Sequence, residues 1–363
     1  MVSALYGNIP TGVGKGRSDL HLDRRTLLEI LEQGAGWAVR NGMGEPQDLS
    51  FLEAGGSLEG ADPSRVSQRA LERGRGQLGT LGSGNHFAEI QYVSRVYDRE
   101  AARALGLYAD QITVTIHSGS RGLGHQVCTD NLKVMVESTD RYRIPLPDRQ
   151  LCCAPLRSAE GRNYLAAMAA AANFAFANRQ VMTHWVRRSF ASVLAQSQSA
   201  LGLEVVYDVC HNIAKFETFE IDGHRRRLCV HRKGATRAYP PGHAETPAAY
   251  REIGQPVLIP GDMGRYSYVL VGTRRAYEET FGSTCHGAGR LLSRRQAKRQ
   301  ARGRQLVEEM RQMGVVVKAA GTATVAEEMP EAYKDVAEVV DVVDRAGLSR
   351  TVAQLRPLGV IKG

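Results

Sequence analysis

The sequence predicts an α+β fold with mixed β-sheets, its chemistry carried on loops at strand ends and a long helix serving as scaffold. Three observations carry this expectation. Short runs with strand character stop at histidines: Ile112–Ile116 alternates and ends at His117, Val205–Val209 leads into His211, and Leu228–Val230 precedes His231. A long alanine-rich helical pattern runs from Asn163 to about Gln196. No repeat, low-complexity tract or linker divides the 363 residues, and 43% of them are hydrophobic, so one catalytic domain over 1–363 with a sizeable core is expected.

In chain order, Asp19 to about Arg40 reads as a helix whose apolar face holds Leu27, Leu28, Ile30, Leu31, Trp37 and Val39. A polar, glycine-rich stretch follows from Asn41 to about Gly84, and then the Ile112–Ile116 strand. The Asn163–Gln196 helix carries Tyr164, Leu165, Met168, Phe174, Phe176, Met182 and Trp185, a pattern suited to burial. Pro256–Pro260 is a short apolar run before Gly261. Leu291–Met313 reads as a helix dense in Arg294, Arg295, Lys298, Arg299, Arg302 and Arg304; a solvated face is the ordinary reading, RNA contact the alternative. Glu327–Ala346 reads as an acidic helix, and the chain closes on Val360-Ile361-Lys362-Gly363.

Composition narrows the function classes. No run of about 18 apolar residues occurs and no signal-peptide pattern opens the chain, so a soluble, cytoplasmic protein without membrane contact is expected. The six cysteines show no paired spacing, which points to free thiols or single metal ligands rather than a disulfide framework. A net charge of +9 makes a polyanion such as nucleic acid a plausible partner without selecting RNA over DNA.

Four histidines in polar, glycine-rich settings carry the chemistry. His286, in Ser-Thr-Cys-His286-Gly-Ala-Gly-Arg290, stands among small residues that let backbone approach a phosphate; a neutral imidazole there is suited to attack a nucleoside triphosphate. In Gly-Ser-Gly-Asn85-His86-Phe-Ala-Glu89, Asn85 is suited to a phosphate or ribose, His86 to a metal, and Glu89 to the N1–H and N2–H₂ donors of guanine; a plain tight turn is the competing reading. His117-Ser-Gly-Ser-Arg121-Gly-Leu-Gly-His offers an imidazole for a metal and a guanidinium for a phosphate, again against a glycine-rich turn. His211-Asn212 repeats the strand-to-histidine pattern, and such imidazoles suit Mn²⁺, Zn²⁺ or Fe²⁺. His231-Arg-Lys-Gly-Ala-Thr-Arg237 is a basic cluster, either a solvated loop or an RNA backbone contact. Pro260-Gly261-Asp262-Met263 is a further glycine-rich loop that could line a nucleotide pocket, whereas His21, His184, His224 and His243 have no such company.

Taken in order, these motifs resemble the RtcB family of RNA-splicing ligases, from Gly-Ser-Gly-Asn85-His86-Phe-Ala-Glu89 to the C-terminal Val-Ile-Lys362-Gly. The resemblance implies a GTP- and Mn²⁺-dependent ligase joining RNA 3′-phosphate or 2′,3′-cyclic phosphate ends to 5′-hydroxyl ends, in tRNA splicing or RNA repair, with an archease-type activator as a possible partner. It makes His286 the guanylated nucleophile and His86, His117 and His211 the manganese ligands. It gives GMP to Asn85, Glu89, Asn212, Pro260, Gly261, Asp262, Met263, Ser267, Gly287, Ala288, Gly289 and Lys362, with Tyr333 packed against the base. Arg121, Arg290 and Arg294 become candidates for RNA phosphates. Two departures stand out. The family carries an upstream Asp-x-x-Cys ligand stretch, whereas the first cysteine here is Cys128, so the chain is expected to be N-terminally truncated relative to the family. Asp262 stands where the family has a small hydroxyl residue, and it would repel phosphates unless it faces a metal or Arg265. Two other functions remain open: a guanylyltransferase that caps 3′-phosphates without sealing, and a non-catalytic RNA-binding protein.

Overall fold

The structure, a computed structural model, describes residues 1–20 and 22–363; His21 lies outside the described residues. It has the α+β character expected, in two compact units. One comprises Met1–Val13, Ser83–His117 and Gly202–Gly363, the other Gly14–Gly82 and Ser118–Leu201. No helix of the described residues is long and apolar enough to cross a membrane, and no disulfide joins the six cysteines.

The first unit holds the ten strands of the described residues: β1 (Phe87–Val96), β2 (Ile112–His117), β3 (Asn212–Ile221), β4 (His224–Lys233), β5 (Ala235–Arg237), β6 (Pro256–Ile259), β7 (Ser267–Gly272), β8 (Ser283–Cys285), β9 (Val316–Ala319) and β10 (Ser349–Lys362). Six form one sheet in the order β2-β1-β10-β7-β6, with β9 added parallel to the end of β10. The 14-residue β10 reaches from β7 at its start to β1 and β9 at its end, so the chain terminus is stitched into the sheet on both sides. β7 is buried along its whole length, as its unbroken apolar run requires of a central strand. Val257, Ile259, Leu270, Ala288 and Val340 pack one apolar cluster here, and Phe87, Met263, Met310, Met329 and Val360 another.

β3 and β4 form a separate antiparallel ribbon, and β5 pairs with β8. Asp222 and Gly223 close the ribbon with φ of 52° and 72°, the pair of left-handed residues that a two-residue hairpin turn needs. Val205–Val209, expected as a strand, is not one; only Asp208 makes an isolated bridge, and the Val206 carbonyl is taken by the Tyr250 hydroxyl at 2.9 Å instead of a strand partner. His231, expected after a strand, lies inside β4.

The second unit is helical. Ala159–Leu194 is one unbroken 36-residue helix, capped by Ser158 and ending at Ala195 with φ 52°. Leu27, Ile30, Trp37, Leu123, Phe174 and Val181 form the core around it. Asn178, fully buried on this helix, accepts from the Thr80 amide and donates to the Thr80 and Gly119 carbonyls. A helix interior is a poor place for asparagine, and the loop backbone it satisfies explains its presence there.

Three predicted helices are corrected. Asp19–Arg40 becomes Arg24–Gln33 and Ala35–Arg40, divided at Gly34, whose φ is 56° and whose Cβ would stand 2.0 Å from the Gly56 carbonyl oxygen. Leu291–Met313 becomes Arg294–Gln300 and Leu306–Gln312, with Gly303 at φ 79° between them. Glu327–Ala346 shrinks to Val336–Arg345, because Pro330 opens a single tight turn first and Asp335 caps the helix that follows.

Candidate functional site

Strand register assembles the site in the first unit. Phe87, at the start of β1, faces His117 on β2 and Lys362 on β10, so one row across three strands brings the two motif ends together. His86 directly precedes that row. His211 directly precedes β3, and its carbonyl accepts from the Gly234 amide at the end of β4. His286 directly follows β8, where Cys285 pairs with Ala235 of β5.

The four imidazoles meet. The His211 and His286 rings stack with centroids 3.6 Å apart, and His117 stands edge-on to both at 5.0 and 5.5 Å. Nε2 of His117 and Nε2 of His211 are 3.4 Å apart, and the His86 ring lies 5.9 Å from that of His117. One nitrogen from each of His117, His211 and His286 falls within 4.8 Å of the others, a spacing that fits a shared cation. Burial, then the neighbouring imidazoles, holds His117 well below the ordinary histidine range, and burial with Lys233 brings His286 down to about 4. The His117 and His286 imidazoles are therefore neutral at neutral pH, each with a lone pair free for ligation or nucleophilic attack.

A second group adjoins this row. Glu89, two residues along β1 from Phe87, is 3% exposed, accepts from Gln91 Nε2 at 2.5 Å, and is pushed up to about 8 by burial. Lys362 Nζ lies 3.4 Å from Glu328 Oε2 and 5.7 Å from the Phe87 ring centre. Arg290 Nη1 reaches Glu328 Oε1 at 3.1 Å and the Tyr333 hydroxyl at 3.0 Å, and that hydroxyl donates to Glu328. Burial raises the Glu328 carboxyl, but Lys362, Tyr333 and Arg290 together hold it below the ordinary range. Tyr333 is thus tied to Lys362 through one carboxylate, and Arg290 is committed to the same network rather than standing free.

The two glycine-rich loops also meet. A Cβ on Gly287 would lie 3.7 Å from the Pro260 carbonyl oxygen, and the Gly261 amide donates to Ser267 Oγ at 3.4 Å. Ala288 and Met263 are buried in the apolar clusters, while Gly289 takes φ 75° and its carbonyl accepts from the Lys334 amide. Asp262 turns its Oδ1 into its own loop, accepting from the Gly264 and Arg265 amides at 3.0 and 3.1 Å, with Oδ2 3.6 Å from Arg265 Nε. The arginine that sequence offered as its foil is the one it faces. A Cβ on Gly261 would stand 2.0 Å from the Tyr266 carbonyl oxygen and 2.9 Å from Val336, so Gly261→Ala must displace this loop. A loss of about 1–3 kcal/mol in stability is expected, read by denaturant unfolding, with weaker nucleotide binding read by calorimetry.

The remaining sequence candidates have their own surroundings. Asn85 and Asn212 are exposed beside His86 and His211. Arg294 is 58% exposed, with Nε 3.6 Å from Glu327. Arg121 belongs to the second unit, has φ 53°, donates from Nε to Thr80 Oγ1 at 2.9 Å, and is lowered to about 10 by burial. Sequence reasoning missed Glu328, which has no motif around it, and passed over Lys233 inside the basic cluster. It also misjudged Arg232 and Arg237: neither solvated nor facing a polyanion, both are buried, Arg232 on Glu217 at 2.7 Å and Arg237 on Glu245 and Gln255.

Comparison with known proteins gives the family. A family model described as "RtcB: tRNA-splicing ligase RtcB" matches residues 1–363. Over the whole chain, the sequence is 56% identical to a tRNA-splicing ligase RtcB of Archaeoglobus fulgidus and 55% identical to that of Thermococcus kodakarensis, covering 75% of each. It is also 55% identical to the Pyrococcus horikoshii protein of the same name, of which it spans 42%. With full-length matches of this identity and the motif histidines gathered in one place, the chain belongs to the RtcB family of tRNA-splicing ligases.

Proposed function

We propose that this chain joins RNA 2′,3′-cyclic phosphate or 3′-phosphate ends to 5′-hydroxyl ends, using GTP and Mn²⁺ and carrying GMP covalently on His286. The observation that carries the reading is His286 itself: a half-buried imidazole held neutral, stacked at 3.6 Å on His211 and edge-on to His117. Its nitrogen attacks the α-phosphorus of GTP, forming a P–N bond as the P–O bond to pyrophosphate breaks. The RNA 3′-phosphate oxygen then takes the GMP from His286, regenerating the imidazole and activating that phosphate. The 5′-hydroxyl attacks the activated phosphate and GMP leaves. A cyclic phosphate is opened to the 3′-phosphate beforehand.

His86, His117 and His211 would hold the divalent ion: one nitrogen each of His117 and His211 lies within 4.8 Å of the other, the His86 ring stands 5.9 Å from that of His117, and imidazole donors suit a first-row cation such as Mn²⁺. When bound, such an ion supplies positive charge against phosphate oxygens. Lys362, Asn85, Asn212 and the paired loops at Pro260–Met263, Ser267 and Gly287–Gly289 would hold the nucleotide, with Tyr333 against its base. Arg121, Arg290 and Arg294 remain candidates for RNA phosphates.

Incubation with GTP labelled at the α-phosphate and Mn²⁺ tests the reading: protein-bound label that transfers to 3′-phosphate RNA, followed by a longer sealed product, supports it. Label without a sealed product would leave only capping; no label would remove the covalent route.

Glu89 gives a second check. Its carboxylate form accepts the two guanine donors, and burial keeps the empty carboxyl protonated up to about pH 8. GTP affinity is therefore expected to rise with pH as Glu89 ionises, levelling off above about 8, while Glu89→Gln removes the rise and loses roughly tenfold in GTP-over-ATP preference, read by competition binding.

A further inference from the structure

The two faces of the β3–β4 ribbon differ in chemistry. On one, Glu217 and Arg232 pair in the interior while Phe219 and Val230 pack on Tyr239. The opposite face is open: Phe216 from β3 and Arg225, Arg227, His231 and Lys233 from β4 are all exposed, and the register puts them on one side. Glu220 is the single carboxylate among the strand residues of that face. The face starts at the site, because Lys233 stands opposite Asn212 and acts on the His286 imidazole. At about 3.4 Å per residue, Arg225 lies roughly 27 Å along the ribbon from Lys233.

Two further features single it out. None of Arg225, Arg227 and Lys233 makes an ion pair among the described residues; on the arginine-rich stretch after His286, Arg295, Arg299 and Arg302 are likewise unpaired, but Arg294 and Lys298 pair with Glu327 and Arg304 with Glu309 and Glu331, so the charge there is compensated in part. The Arg227 guanidinium lies 4.7 Å over the Phe216 ring, and that ring is 46% exposed. Uncompensated cations along a strand face, with an accessible aromatic plane among them, match the needs of an unpaired nucleic-acid strand: phosphates on the cations, a base on the ring.

We propose that this open face is a track for the single-stranded RNA adjoining the reacting end, leading it to His286. The inference rests on the ligase reading and adds the route the RNA takes. Three proteins test it: wild type, the double variant Arg225→Ala/Arg227→Ala, and Phe216→Ala. Each is assayed for GMP label without RNA, and for ligation with RNA ends extended by about 12 or only 3 nucleotides on the 3′-phosphate or the 5′-hydroxyl strand. Label uptake is expected to be equal in all three. For one long strand, KM should rise about tenfold in Phe216→Ala, and the double variant should lose about 1.4 from the log–log salt slope of RNA binding, as for two lost phosphate contacts. The short strands should show neither change. Unchanged KM and salt slope with label intact would overturn the track alone and leave the face to a non-RNA partner. Absence of label from wild type would overturn the ligase reading beneath it.

Discussion

Replacing His286 by alanine is expected to abolish covalent labelling from GTP and to lower ligation by about 10⁴-fold or more, the scale seen when a nucleophile is deleted from a group that acts as a unit. The reason is geometric. His286 stacks on His211 and directly precedes Gly287, whose loop meets the Pro260 carbonyl, and the imidazoles beside it, His117 and His211, are the ones assigned to the metal, so neither can take over its role without leaving the ion. Noncovalent GTP binding should survive, since Glu89, Lys362 and the loops are untouched. Label retained in the variant, on denaturing gels, would move the nucleophile elsewhere. The same residue fixes a pH dependence. Its folded pKa, near 4, lies below the ordinary value near 6.5, so the unfolded chain binds the proton first. The stability contribution is therefore intact above about 6.5 and is lost as pH falls from there toward 4. Labelling should likewise persist below pH 6 and fail only as the imidazole itself protonates.

The site was more legible in the sequence than the elements that build it. Ile112–His117 announced both its strand and its terminal histidine, because alternation and the glycine-rich turn agree locally. His211 was singled out at the end of a strand, Val205–Val209, that does not form, since Tyr250, distant in sequence, takes a backbone carbonyl that the local pattern offered to a neighbour. Helix lengths failed where single glycines and a proline decide: Gly34 must pass against Gly56, a contact no window of local periodicity contains. The basic clusters were the least legible. Charge reads alike whether an arginine is solvated or buried on a carboxylate, and the partner Glu217 lies on another strand. Lys362 shows the opposite case: a residue one place from the chain end, ordinarily frayed, is buried because β10 is held between β1 and β9.

Arg232→Met is expected to destabilise the first unit by about 3–5 kcal/mol while leaving the salt dependence of RNA binding unchanged. Arg232 is 2% and Glu217 4% exposed, and the guanidinium meets the carboxylate through two bonds of 2.7 Å while Nε donates to Ser283 and Nη2 to the Phe281 carbonyl. Removing the cation leaves a buried carboxylate with its charge uncompensated and its two donors gone, which costs far more than the pair itself contributes. The second variant, Arg232→Met with Glu217→Leu, removes both charges and should recover most of the loss, so that the coupling in a denaturant double-mutant cycle is large and positive. Position makes the effect functional as well. Ser283 opens β8, which ends one residue before His286, and Arg232 precedes Lys233 on β4, so this pair bolts the ribbon to the strand that presents the nucleophile. The single variant should therefore slow GMP labelling alongside its stability loss, and the double variant should restore both. Were Arg232 an RNA contact, the single variant would unfold normally and lose one phosphate contact from the salt slope, and the double variant would rescue nothing.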